Sequence, residues 1–173
     1  RFIELFARTG VQATFFCVGR DLENPLHAKL AREAVAAGHE IASHSHNHFY
    51  DLRARSQDVI RAEIVCAEEA IQAAIGQRPV GFRTPGYNLG PTISRILVER
   101  DYLYDSSVFP CPPYYGAKAI LMAKMRLFGA PSRSQMTLLR TLTAPTKPYL
   151  ADPSRPWRRA KEGPALWEVP MSL

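Results

Sequence analysis

Histidine is confined to one end of this chain: all five fall within the first 48 residues, and none follows His48. Any imidazole chemistry must therefore be built from that early stretch. Cysteine is also scarce. Cys17, Cys66 and Cys111 are odd in number and far apart, which excludes a disulfide framework and a thiolate metal motif. Cys17, after Phe15-Phe16, reads as a small core residue. No run approaches the roughly 18–20 apolar residues of a membrane span, so no transmembrane segment is expected. Internal repeats and low-complexity tracts are lacking. No basic-then-apolar leader opens the chain, which begins Arg1-Phe2-Ile3 without methionine, and an upstream segment is expected. The net charge of +6 is modest and no nucleic-acid motif accompanies it. The basic cluster Arg155, Arg158, Arg159 and Lys161 reads as a solvated surface loop.

What is present is a single domain's worth of chain: 173 residues, 46% of them apolar, enough for a core. An amphipathic helix over 1–9 ends at Gly10. Val11 to Val18 is β-branched and aromatic, a strand. Pro25 opens a helix that stops at Gly38, and Glu40 to Ser43 is a short strand. Ser56 to Ile75 is a long helix with Val59, Ile60, Ile64, Ala67 and Ile71 on one stripe. Val80 to Arg83 is a strand, Pro91 to Arg100 a helix and Tyr102 to Asp105 a strand. This alternation predicts α/β architecture with a parallel sheet or a (β/α) barrel. From 110 to 164 prolines are dense and periodicity fades, so an irregular excursion with one or two short helices is expected before a last strand, Leu166 to Val169.

Chemistry-bearing residues recur where these strands end. One strand runs into His44-Ser45-His46-Asn47-His48. The next runs into Arg83-Thr84-Pro85-Gly86-Tyr87, and a third into Asp105-Ser106-Ser107. On a parallel barrel such ends share one rim. Two imidazoles four residues apart can face one ion. Each group also has a plainer reading: strand capping for the histidines, an ion pair for Arg83, a turn for Pro85-Gly86 and a cap for Asp105 with Ser106.

Taken with their flanks, these segments resemble the polysaccharide deacetylase family, the NodB-homology domain of carbohydrate esterase family four. The resemblance rests on Ala13-Thr14-Phe15-Phe16-Cys17-Val18-Gly19 and on Ala36 through His48. It also rests on Gly81-Phe82-Arg83-Thr84-Pro85-Gly86-Tyr87 and Tyr104-Asp105-Ser106-Ser107. It covers roughly residues 2 to 109, with Leu166 to Ser172 similar to a late family strand. It implies a distorted (β/α) barrel, here incomplete at the N-terminus. It also implies a divalent metal, zinc by family habit, bound by two histidines and an aspartate. The matching histidines are His44 and His48, while His46 falls at a variable position. Ser45 would steady the loop. Arg83 would orient a catalytic carboxylate, the Gly86 backbone N–H would serve the oxyanion, and Asp105 is a further catalytic candidate at the rim.

The implied reaction is hydrolysis of an N- or O-acyl group on an amino sugar or polysaccharide. The substrate would be an acylated glycan lying along aromatics such as Tyr87, Tyr114, Tyr115 and Trp157. Two family elements have no counterpart: a Thr-Phe-Asp-Asp segment that supplies the base and third metal ligand, and a late histidine. Asp21 and Asp51 lie near the pentad but match neither position. The expectation is thus a partial deacetylase domain with half an active site, inactive as it stands. The alternatives are hydrolysis of a small non-peptide amide on the same fold and a catalytically inactive glycan-binding barrel.

Overall fold

The computed structural model describes residues 2–129 and 136–171; Arg1, Ser172 and part of the 110–164 stretch lie outside them. The chain alternates as expected: α1 (Phe2–Thr9), β1 (Thr14–Cys17), α2 (Pro25–Ala36), β2 (Glu40–Ser43), α3 (Gln57–Ile75), β3 (Gly81–Phe82), α4 (Pro91–Glu99) and β4 (Tyr104–Asp105). Then come α5 (Pro112–Leu127), β5 (Tyr149–Asp152), β6 (Arg155–Arg159) and β7 (Leu166–Glu168).

Local chemistry explains the boundaries. Asn24 caps α2 by accepting from the Leu26 N–H, with Pro25 at the first position, and Ser56 caps α3 by accepting from Val59. Gly76 closes α3 at φ 80, a left-handed conformation that glycine adopts without Cβ strain. On α3 the buried stripe is Ile60, Ile64, Ala67, Ile71 and Ala74. Val59, expected on that stripe, is exposed, because the inward face is set by the Ile60–Ile64 phase one residue later.

The seven strands form one sheet in the order β1-β2-β3-β4-β7-β5-β6. Every pair from β1 through β4 to β7 is parallel, and β5 and β6 add antiparallel. Parallel pairing aligns the C-terminal ends of β2, β3 and β4, so the loops that follow them emerge on one side. Two buried clusters hold the layers. One gathers Ile60, Ile64, Phe82, Ile93, Leu97 and Tyr102, and the other gathers Leu22, Ala31, Ile41 and Ile71. Cys17 packs against the second, and burial raises its thiol to about 11, leaving it unreactive.

The stretch 110–164 departs most from expectation. It carries a sixteen-residue helix, α5, and the β5–β6 hairpin that extends the sheet. Three of its prolines sit where an element begins or turns: Pro112 and Pro113 open α5, and Pro153 lies in the hairpin turn. Of the basic cluster, only Lys161 lies in an exposed bend. Arg155, Arg158 and Arg159 stand exposed on β6 at the sheet edge, where charge discourages edge-to-edge pairing.

Candidate functional site

The loop after β2 brings the His44 and His48 rings together, with centroids 4.8 Å apart and planes tilted by 59°. The loop needs unusual backbone. Ser45 and His48 are left-handed at φ 62 and 57, a cost of order 1–2 kcal/mol each outside glycine. The Ser45 hydroxyl accepts from the His48 N–H at 3.2 Å. From α3, the buried Glu63 receives the Asn47 backbone N–H at 2.8 Å and its side-chain amide at 2.6 Å. Glu63 escaped the sequence reading, although its place one turn before the Ala67 stripe position put it beside an inward face. His46 turns the other way, toward Gly19 and the Glu23 carboxylate at 3.5 Å.

The loop after β3 forms the adjoining wall. His44 Nδ1 lies 2.6 Å from the Arg83 carbonyl. A carbonyl only accepts, so Nδ1 carries the proton and Nε2 keeps its lone pair. Burial, with smaller contributions from His48 and the Arg83 charge, pushes His44 down to about 4 against the opposing pull of that carbonyl. The ring is neutral at ordinary pH. The Arg83 guanidinium lies over the Phe16 ring at 4.0 Å. It donates to the Ser106 carbonyl at 2.8 Å and the Ser106 hydroxyl at 2.6 Å. Gly86 is left-handed at φ 67, a conformation that favours glycine, and a Cβ there would crowd Tyr50 Cδ1 at 3.2 Å. Tyr87 follows at φ 60.

Thr14, Phe16, His44, His48, Tyr50, Arg83, Gly86, Tyr87, Tyr114 and Lys118 enclose one cleft of about 500 Å³. The expected His44, His48, Arg83, Gly86 and Tyr87 thus meet on one rim. Asp105 does not join them. It is fully buried below the rim, beside the equally buried Glu168 of β7. Its Oδ1 accepts from the Ser107 hydroxyl at 2.7 Å and its Oδ2 from the Ser107 N–H at 3.1 Å. That hydroxyl in turn receives the Thr84 N–H at 2.8 Å, and Glu168 Oε1 receives the Val108 N–H at 2.9 Å.

Two adjacent buried carboxyls cannot both ionise cheaply. Desolvation raises both, Glu168 the further because it also faces Asp105. The pair is therefore a framework beneath the Arg83–Gly86 loop, out of reach of anything in the cleft. Of the aromatics expected along a groove, Tyr87 and Tyr114 line the cleft, while Tyr115 and Trp157 are buried core residues. Asp51 pairs with Arg55 at 3.0 Å, and Asp21 borders a separate apolar cavity between α1 and α2. Among the described residues, no third histidine, cysteine, aspartate or glutamate joins His44 and His48 in a metal-binding group, and no helix is long and apolar enough to cross a membrane.

The family model for polysaccharide deacetylase matches residues 1–104. A peptidoglycan deacetylase-like protein of Gibberella zeae is 32% identical over 114 residues, covering 62% of this chain and 32% of that protein. An acetyl xylan esterase of family 4 from Clostridium thermocellum, solved with a cobalt ion, is 32% identical with a TM-score of 0.51, over 54% of this chain and 45% of its own. A Mycobacterium smegmatis structure described as a polysaccharide deacetylase covers 98% of this chain and 44% of its own, with a TM-score of 0.67 at 24% identity, a likeness of fold. The chain spans about a third or less of the length of the curated relatives it matches. The matched region contains the histidine loop and the Arg83–Tyr87 loop, and on these grounds the chain belongs to the polysaccharide deacetylase family.

Proposed function

We propose that this protein removes acyl groups from an acylated glycan or amino sugar by metal-dependent hydrolysis, with His44 and His48 as the imidazole ligands of a divalent ion, zinc by donor type. The observation that carries this reading is the close imidazole pair with Nδ1 of His44 anchored on a backbone carbonyl. A metal-bound histidine ordinarily has its other ring nitrogen held by a carbonyl or carboxylate in this way. The cobalt ion of the Clostridium thermocellum esterase points the same way. The two rings fit the imidazole half of such a site. They do not complete it, since catalytic zinc takes three protein ligands and the described residues offer no third.

When bound, such an ion acidifies water and polarises a carbonyl. The chain's own groups would orient the substrate. Arg83, held by Ser106 and Phe16, presents a fixed positive charge at the cleft wall. The Gly86 N–H would meet the oxygen of an acyl carbonyl as it gains charge. Tyr50, Tyr87 and Tyr114 offer apolar faces to a sugar ring. The test is turnover of an acetylated chito-oligosaccharide by the full protein with added zinc, alongside a small acetamide. Loss of sugar deacetylation on His48→Ala supports the reading. Faster turnover of the small amide would replace the glycan by a small amide.

A second reading is a glycan-binding barrel without catalysis, favoured by the two-histidine donor set. Saturable oligosaccharide binding with no acetate release at any metal concentration would establish it.

A further inference from the structure

We propose that α5 docks the protein on an anionic lipid surface, with its outward face lying in the headgroup layer. The first observation is the placement of charge. Residues 106–151 contain Lys118, Lys124, Arg126, Arg133, Arg140 and Lys147 and no aspartate or glutamate. The remaining 127 residues carry sixteen basic and sixteen acidic side chains. The whole net charge of +6 therefore belongs to the segment that contains α5.

The second observation is the way α5 sits. Tyr115, Lys118, Met122 and Met125, at helical spacing, are its more buried positions. The opposite arc carries Ile120, Leu121, Leu127 and the following Phe128, exposed at 72, 57, 81 and 72%. Lys124 stands among them, also exposed. Scattered exposed leucines need no explanation, but three large apolar side chains on one arc of a helix, with Phe128 just past its end, do.

Charge decides the occupant. A second copy meeting this arc about a two-fold axis would bring Lys124 toward its own image. An anionic membrane is complementary to both parts of the face. The apolar side chains enter the acyl boundary, and Lys124 reaches back to the headgroups along its aliphatic stem. Sixteen residues make a helix of roughly 24 Å, suited to lying in the interface. The same helix supplies Tyr114 and Lys118 to the cleft, so a docked molecule carries its cleft at the lipid boundary. The docking does not depend on the proposed activity.

The experiment is co-flotation of the full protein with vesicles, either phosphatidylglycerol and phosphatidylcholine in equal parts or phosphatidylcholine alone. The expected result is binding to the anionic vesicles that weakens as salt rises and is much poorer on the neutral ones. Lys124→Gln should weaken it roughly fivefold. Leu127→Ser with Phe128→Ser should weaken it at least roughly tenfold. Lys29→Gln, exposed on α2, should leave it unchanged. Circular dichroism and thermal melting report whether each variant folds. Equal, salt-insensitive binding to both vesicle types would overturn the proposal, as would absence of binding. Concentration-dependent dimerisation in analytical ultracentrifugation, abolished by the Leu127/Phe128 pair, would assign the face to a second copy instead.

Discussion

The two walls of the cleft are built on opposite principles. The sheet-side wall, from the loops after β2 and β3, is strained, glycine-dependent and wired into buried polar groups: Glu63 under the histidines, and Asp105 with Glu168 under Arg83 and Gly86. The facing wall is α5, whose one fully buried side chain is Tyr115. The first is over-determined, as geometry near reacting atoms must be. The second can shift or vary at little cost to the fold. On the proposed reading, chemistry and selectivity would be carried by parts of unequal rigidity.

Removal of the Asp105 carboxylate should break the rigid side most severely. Asp105→Ala removes the acceptor of the Ser107 hydroxyl and the buried neighbour of Glu168, and a loss of about 2–4 kcal/mol is expected in urea denaturation. A loss below about 1 kcal/mol would mean that water enters beneath the loop and the wall is softer than described.

A pH titration of stability probes the same pair. Both carboxyls have raised pKa values in the folded protein, so the fold holds a proton that the unfolded chain releases. The associated stability is fully present below the unfolded glutamate value of 4.5 and is lost as pH rises through the folded one. Its slope should reach about 1.4 kcal/mol per pH unit for one proton. Glu168→Gln should flatten that slope, and an unchanged profile would place the proton elsewhere.

Gly86→Ala should cost about 1–2 kcal/mol through its left-handed backbone and lower kcat more than it raises KM. A purely thermal defect with normal kcat would detach the Gly86 amide from the chemistry. On the α5 side, Tyr114→Ala should leave stability within about 0.5 kcal/mol and raise KM several-fold for an oligosaccharide. Equal effects on kcat would make α5 part of the chemical wall after all.

Legibility in the sequence followed the same division. β2 falls at Glu40–Ser43 as read, and α2 and α3 follow their caps, because Pro25, Ser56 and the glycines act locally. The rim residues were readable because parallel strands end on one side. Asp105 misled because a strand-end carboxylate looks the same whether it faces the cleft or the interior. The clue lay in β7, where alternation sets Glu168 on the same inward side as core Leu166. α5 was missed because apolar residues surround it and leave no period. The hairpin was missed because Arg-Pro-Trp-Arg-Arg does not alternate.

Arg83 meets its neighbours through two unlike atoms. Its guanidinium is replaceable, but the carbonyl that fixes the tautomer of His44 is backbone and survives any substitution there. A substitution at this position can therefore remove the charge from the cleft wall while the imidazole keeps its orientation. The tautomer of His44 is thus written into the main chain, and the side chain at position 83 is free to vary without disturbing it.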